Sequence, residues 1–181
     1  AAVGKIDDAI RSADRARIRL PSEPGPAALA ARLHLVSRRF ADARDAARSW
    51  RALTADSPID ADSILARIAL VDGKPAEAIA ILEPYRARLD AEAARRPEAL
   101  GTLVVAEMLE GRADAAIALA SKHLAIPAFR GEFLAGTRVA PTETAFAVLA
   151  GIEPILGVDD GGRLALVSEY AALALRKDAA A

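Results

Sequence analysis

Asp72-Gly73-Lys74-Pro75-Ala76-Glu77-Ala78-Ile79-Ala80-Ile81-Leu82 reads as a turn that opens an amphipathic helix. Three other stretches carry the same order of residues: Gly4-Lys5-Ile6-Asp7-Asp8-Ala9, Arg38-Arg39-Phe40-Ala41-Asp42-Ala43 and Gly111-Arg112-Ala113-Asp114-Ala115-Ala116. The first residues of the four copies lie 34, 35 and 38 positions apart. Gly opens three copies, a basic residue follows, an acid stands near the end and Ala closes each. A period of that length with that polarity is the signature of helix-turn-helix solenoid repeats.

Outward from that turn the chain divides into helices and breakers. Asp7 to Leu20 reads as the second helix of a pair, stopped by Pro21, and Ser22-Glu23-Pro24-Gly25-Pro26 reads as a linker. A helix follows from about Pro26 to Arg38, then another from Ala41 to Thr54, closed by Asp56-Ser57-Pro58. Asp60 or Asp62 is expected to cap the next helix, which carries Ile64, Leu65 and Ile68 along one side. Pro75 to Ala94 is long and contains Pro84, so a kink or break is expected near Leu82-Glu83. A third pair spans Glu98 to Glu110 and Ala113 to Ala125. Pro127, Gly131, Gly136 and Pro141 then mark Ile126 to Pro141 as an irregular connection. Two more helices, Thr142 to Leu156 and Arg163 to Lys177, read as caps on the array, with Asp159 or Asp160 at the start of the second.

The organisation is therefore one domain over residues 1–181, with repeats over 1–128, an irregular connection over 129–141 and capping helices over 142–181. Composition agrees with an all-α chain. Hydrophobic residues make up 53% and aromatics only 4%, and about a quarter of the chain is Ala, so the core must rely on close helix approach over small side chains. The alternating pattern of strands does not occur.

Charge and motifs narrow the function classes. The 24 Lys and Arg balance 25 Asp and Glu, and neither sign forms a block of the kind that tracks nucleic acid. No apolar run approaches the roughly 20 residues of a spanning helix, so no membrane insertion is expected. The absence of Cys excludes disulfides, thiolate nucleophiles and Cys-ligated zinc and leaves the compartment open. The two histidines, His34 and His123, stand alone on their helices with no metal-ligand spacing, and no Gly-x-Ser-x-Gly elbow is present. Gly157-Val158-Asp159-Asp160-Gly161-Gly162-Arg163 has glycines beside a helix start, but its paired carboxylates would repel phosphate, and a helix cap is the better reading. No catalytic residue, metal site or cofactor is assigned. The mid-repeat start without Met reads as a piece of a longer protein, and 20 Arg against 4 Lys in an Ala-rich chain points to a high-GC bacterial source.

The paired units resemble tetratricopeptide repeats, which run about 34 residues as two antiparallel helices. Counted from the start of each first helix, the family places small or apolar residues at the seventh, eighth and eleventh positions. Ala30, Ala31 and His34 stand there in one unit, Leu65, Ala66 and Ala69 in the next, and Leu103, Val104 and Glu107 in the third. The Ala of the second helix is matched by Ala9, Ala43, Ala78 and Ala116, whereas Trp50, Tyr85 and His123 replace a second small residue near its end. The resemblance implies a right-handed α-solenoid whose first helices line a concave groove for a peptide or partner helix. Carried over position by position, that groove comprises Arg32, Leu35, Val36, Arg67, Leu70, Val71, Val105, Met108 and Leu109. The expected function is a non-enzymatic scaffold or adaptor that binds another protein. The alternative is a regulatory or substrate-docking module of a larger enzyme or transcription regulator. A homo-oligomer through exposed repeat ends is a third, weaker reading.

Overall fold

The computed structural model describes residues 2–156 and 160–179; the capping role expected of Asp159 and the first half of the loop expected over 157–162 lie outside them, and Asp160, Gly161 and Gly162 open a helix instead of ending that loop. Helices account for all regular structure among the described residues, with no strand. The helices are grouped into two compact units, Ala1–Glu77 and Ala78–Ala181.

The first unit contains α1 (Ala2–Arg19), α2 (Pro24–Val36), α3 (Phe40–Leu53) and α4 (Ile59–Val71). Pro24 begins α2 where its absent N–H is no loss, and Pro58 precedes the first turn of α4. Asp60 and Asp62 lie inside that first turn and do not cap it; Asp62 is buried and pairs with the Arg51 guanidinium, whose Nε lies 2.7 Å from its Oδ1, tying α4 to the end of α3. Helix α2 packs on α1 and α3, α3 packs on α4, and α2 also touches α4. Between them lie Ala27, Ala30, Ala31, Ala43, Ala46 and Ala47 with Trp50, Ile64 and Ile68. Alanine on both sides of a seam lets helix backbones approach closely, so dispersion contacts stand in for bulky side chains.

Three helix ends share one turn. Arg38, Gly73 and Gly111 adopt φ of 58°, 71° and 75°, and the next residue donates its N–H back to the carbonyl five residues earlier: Arg39 to His34, Lys74 to Ala69 and Arg112 to Glu107, each at 2.9 Å. This is the Schellman closure, in which a left-handed residue satisfies the last carbonyls of a helix. At three of its four copies the sequence motif thus encodes a stop, whereas the copy at Gly4 lies inside α1.

Helix α5 (Pro75–Leu82) ends where Pro84 enters, passes into a 3-10 turn over Glu83–Tyr85, and resumes as α6 (Arg86–Ala91), so the expected break is present. The rest of the second unit is α7 (Pro97–Leu109), α8 (Ala113–His123), α9 (Pro127–Thr137), α10 (Thr142–Leu156) and α11 (Asp160–Ala179). The irregular connection expected over 129–141 is instead mostly α9. Pro127 is its first residue after an extended Ile126, and Gly136 is a packing residue, not a breaker. A Cβ at Gly136 would sit 2.6 Å from Val105 Cγ2 and from Met108 Cε, and one at Gly101 would sit 2.7 Å from Glu132 Cβ. Glycine at these points lets α7 and α9 press together. The same device joins α8 to α10, where a Cβ at Gly151 would lie 2.5 Å from Ile117 Cδ1. Hence α9 packs on α7 and α10 on α8, a further helix pair laid beside the preceding one. Helix α11 lies on α10 and is fixed to the end of α9: Arg176 donates to the carbonyls of Arg138 and Ala140, each at 2.7 Å, and buried Glu169 accepts from Arg138.

Candidate interaction face

Helix α2 has an inverted distribution of bulk. Its buried side is Ala27, Ala30, Ala31 and His34, with Leu33 and Leu35 half-buried against the core, while Leu29 and Val36 stand outside. Gly25, Leu29, Arg32 and Val36 are its exposed positions, spaced as one helical stripe, with Leu29 52% and Val36 74% exposed. A helix that is apolar on every side normally lies covered. Arg32 is the only charge on that stripe, and its guanidinium carbon sits 5.2 Å from the ring centroid of Trp50. Trp50 itself is buried in the core, so the guanidinium is held against an aromatic face by cation–π attraction.

On the neighbouring α4, Arg67 and Leu70 are half-buried and Val71 is 53% exposed. Leu35 is half-buried and packs against the alanine core. The remaining three residues of the sequence-derived groove lie on α7. Met108 is fully buried, and it and half-buried Val105 meet Gly136 of α9; Leu109 is half-buried. Met108 and Val105 are therefore a helix seam and not an open groove, because α9 covers them. Of the nine residues, Arg32, Val36 and Val71 are exposed. The resemblance did not supply Leu29, although its spacing of three before Arg32 and seven before Val36 marks it as a member.

Charged side chains elsewhere are paired, several of them across helices. Glu107 of α7, 1% exposed, accepts from Arg86 and lies 3.5 Å from Arg112, while Arg86 also binds Glu83. The Arg86 hydrogen bond holds the Glu83 carboxyl below its ordinary range, and Glu83 with Glu107 raises Arg86. Asp90 accepts from Lys122 at 2.8 Å and lies 2.6 Å from His123 Nε2, and these two contacts lower its carboxyl in that order of strength. Buried His34 lies 3.2 Å from Asp14 and 3.9 Å from Asp42. Among the described residues no group of three or more His, Asp or Glu is placed to hold a metal ion, and no helix is long and apolar enough to cross a membrane.

Compared with models of protein families, with curated proteins and with solved structures, the chain matches none.

Proposed function

We propose that this chain is a non-enzymatic interaction scaffold, built as a tetratricopeptide-like array of helix pairs, that holds a peptide or a partner helix along the outer stripes of α2 and α4. The observation that carries the reading is the placement of Leu29, Val36 and Val71 in solvent on helices whose inner faces are mostly small or aliphatic. Exposed apolar stripes of this kind mark contact sites, since single scattered residues need no partner but aligned ones do. Contacts between alternate helices, α2 with α4, α7 with α9 and α8 with α10, support the array. The residues that act are Leu29, Arg32, Val36, Arg67, Leu70 and Val71; binding energy concentrates in a few such anchors.

The test is capture of partners from the source cell by the tagged chain, compared with Leu29→Asp/Val36→Asp and with Ala52→Asp on the exposed side of α3. The double variant is expected to lose partners that the control keeps, with an unchanged helical circular dichroism spectrum. The same partners held by all three chains would overturn the reading.

A further inference from the structure

We infer that the occupant of the α2 stripe is an acidic amphipathic segment of another protein, one that sets a carboxylate between two apolar residues at helical spacing. This rests on the docking reading above and adds the chemistry of the partner.

Residues 24–41 contain no Asp or Glu, while Arg32, Arg38 and Arg39 stand among them. Arg39 is engaged by Asp7 at 2.7 Å. Among the described residues, Arg32 and Arg38 have no carboxylate partner, and the contact recorded for Arg32 is the Trp50 ring. The α2 stripe thus presents positive charge in an apolar frame with no acid on its own helix to neutralise it.

Geometry sets the pattern the partner must match. Leu29, Arg32 and Val36 follow one another at three and four residues, so the stripe spans about 10 Å of helix with the cation near its middle. A partner that buries apolar side chains against Leu29 and Val36 brings the group between them to the guanidinium. A carboxylate there accepts two parallel N–H bonds from the planar fork, an arrangement open to Arg and not to a point-charge ammonium. Stacking on Trp50 holds the fork in place before the partner arrives, which lowers the ordering cost of the contact. A basic segment would instead place like charges together in a site stripped of water.

Trp50 is the only tryptophan and lies under Arg32, so its fluorescence reports docking directly. The probes are three synthetic amphipathic helical peptides, identical except for Glu, Gln or Lys between two Leu at the stated spacing. The Glu peptide is expected to change Trp50 emission saturably and to bind about tenfold more tightly than the Lys peptide. Arg32→Glu is expected to reverse that order and Arg32→Lys to preserve it, with the far-UV spectrum unchanged in both. Equal affinity for Glu, Gln and Lys peptides, or an order unaltered by Arg32→Glu, overturns the acidic class while leaving docking at Leu29 and Val36 intact. Failure of all three peptides to bind also overturns it, and the capture experiment then judges docking on its own. A dimer of the wild-type chain by sedimentation, dissolved by Leu29→Asp/Val36→Asp, assigns the stripe to a second copy and overturns the inference.

Discussion

Arg38 holds a left-handed backbone angle at a position that its sister turns give to Gly73 and Gly111. A Cβ in that region crowds the following carbonyl, so Arg38→Gly is expected to raise stability by about 0.5–1 kcal/mol, read as a later urea midpoint. An earlier midpoint would mean that the Arg38 side chain contributes more than its backbone costs. The glycines of α9 give a paired test. Nothing lies within 4 Å of a Cβ at Gly131, whereas one at Gly136 meets the stiff Val105 side chain. Gly131→Ala is expected to stabilise by about 0.5–1 kcal/mol through helix propensity, and Gly136→Ala to destabilise by about 1–2 kcal/mol through overpacking. The same sign for both would show that α9 stands off from α7. Sequence made the turn glycines legible through their repeat, and Arg38 with them by register. It did not distinguish a glycine that breaks a helix from one that seats a helix against a neighbour, because that difference lies in a residue some 30 positions away.

Among elements, the break at Pro84 was legible from one residue, since a proline inside a helix removes a donor and collides with the preceding turn. Helix α9 was not, for Pro141 shortly after it and two glycines within it outweighed the signal of Pro127 as a first-turn residue. Its presence moved Met108 and Val105 from a groove into a seam. The buried carboxylate Glu107 was visible only as an acid at a packing position; its partner Arg86 comes from the segment after the break. Arg86→Ala leaves Glu107 buried with Arg112 its one remaining ion-pair partner among the described residues and is expected to cost roughly 3 kcal/mol. Adding Glu107→Gln is expected to restore a large part of that loss, because the uncompensated charge is gone. Additive losses in thermal denaturation would show that the ion pair contributes little and that each side chain acts through packing.

At the scale of the molecule, the two compact units each contain buried apolar residues of their own. Alanine and Trp50 fill the first, and Phe129 and Phe133 are among the largest fully buried side chains of the second. Where each compact unit carries its own core, damage in one need not spread to the other. Phe133→Ala is expected to remove about 3–5 kcal/mol from the second unit. Circular dichroism should then show an early phase of unfolding, with the Trp50 fluorescence transition, which belongs to the first unit, displaced far less. A Trp50 midpoint that falls in step with the circular dichroism would reveal a single cooperative core. The helical class and most helix boundaries were legible because proline and periodicity are local. Which helices adjoin was not, because it depends on seams such as Gly136 on Val105 that no spacing rule records.

The seam between α7 and α9 also sets a chemical vulnerability. Met108 is the chain's only methionine, and its thioether is sealed under Gly136. Oxidation of that sulfur by peroxide is expected to require the seam to open, and the polar sulfoxide is expected to fit its seat poorly. Peroxide treatment is therefore expected to trap the opened seam, each oxidation holding α9 away from α7 until a reductase removes the oxygen.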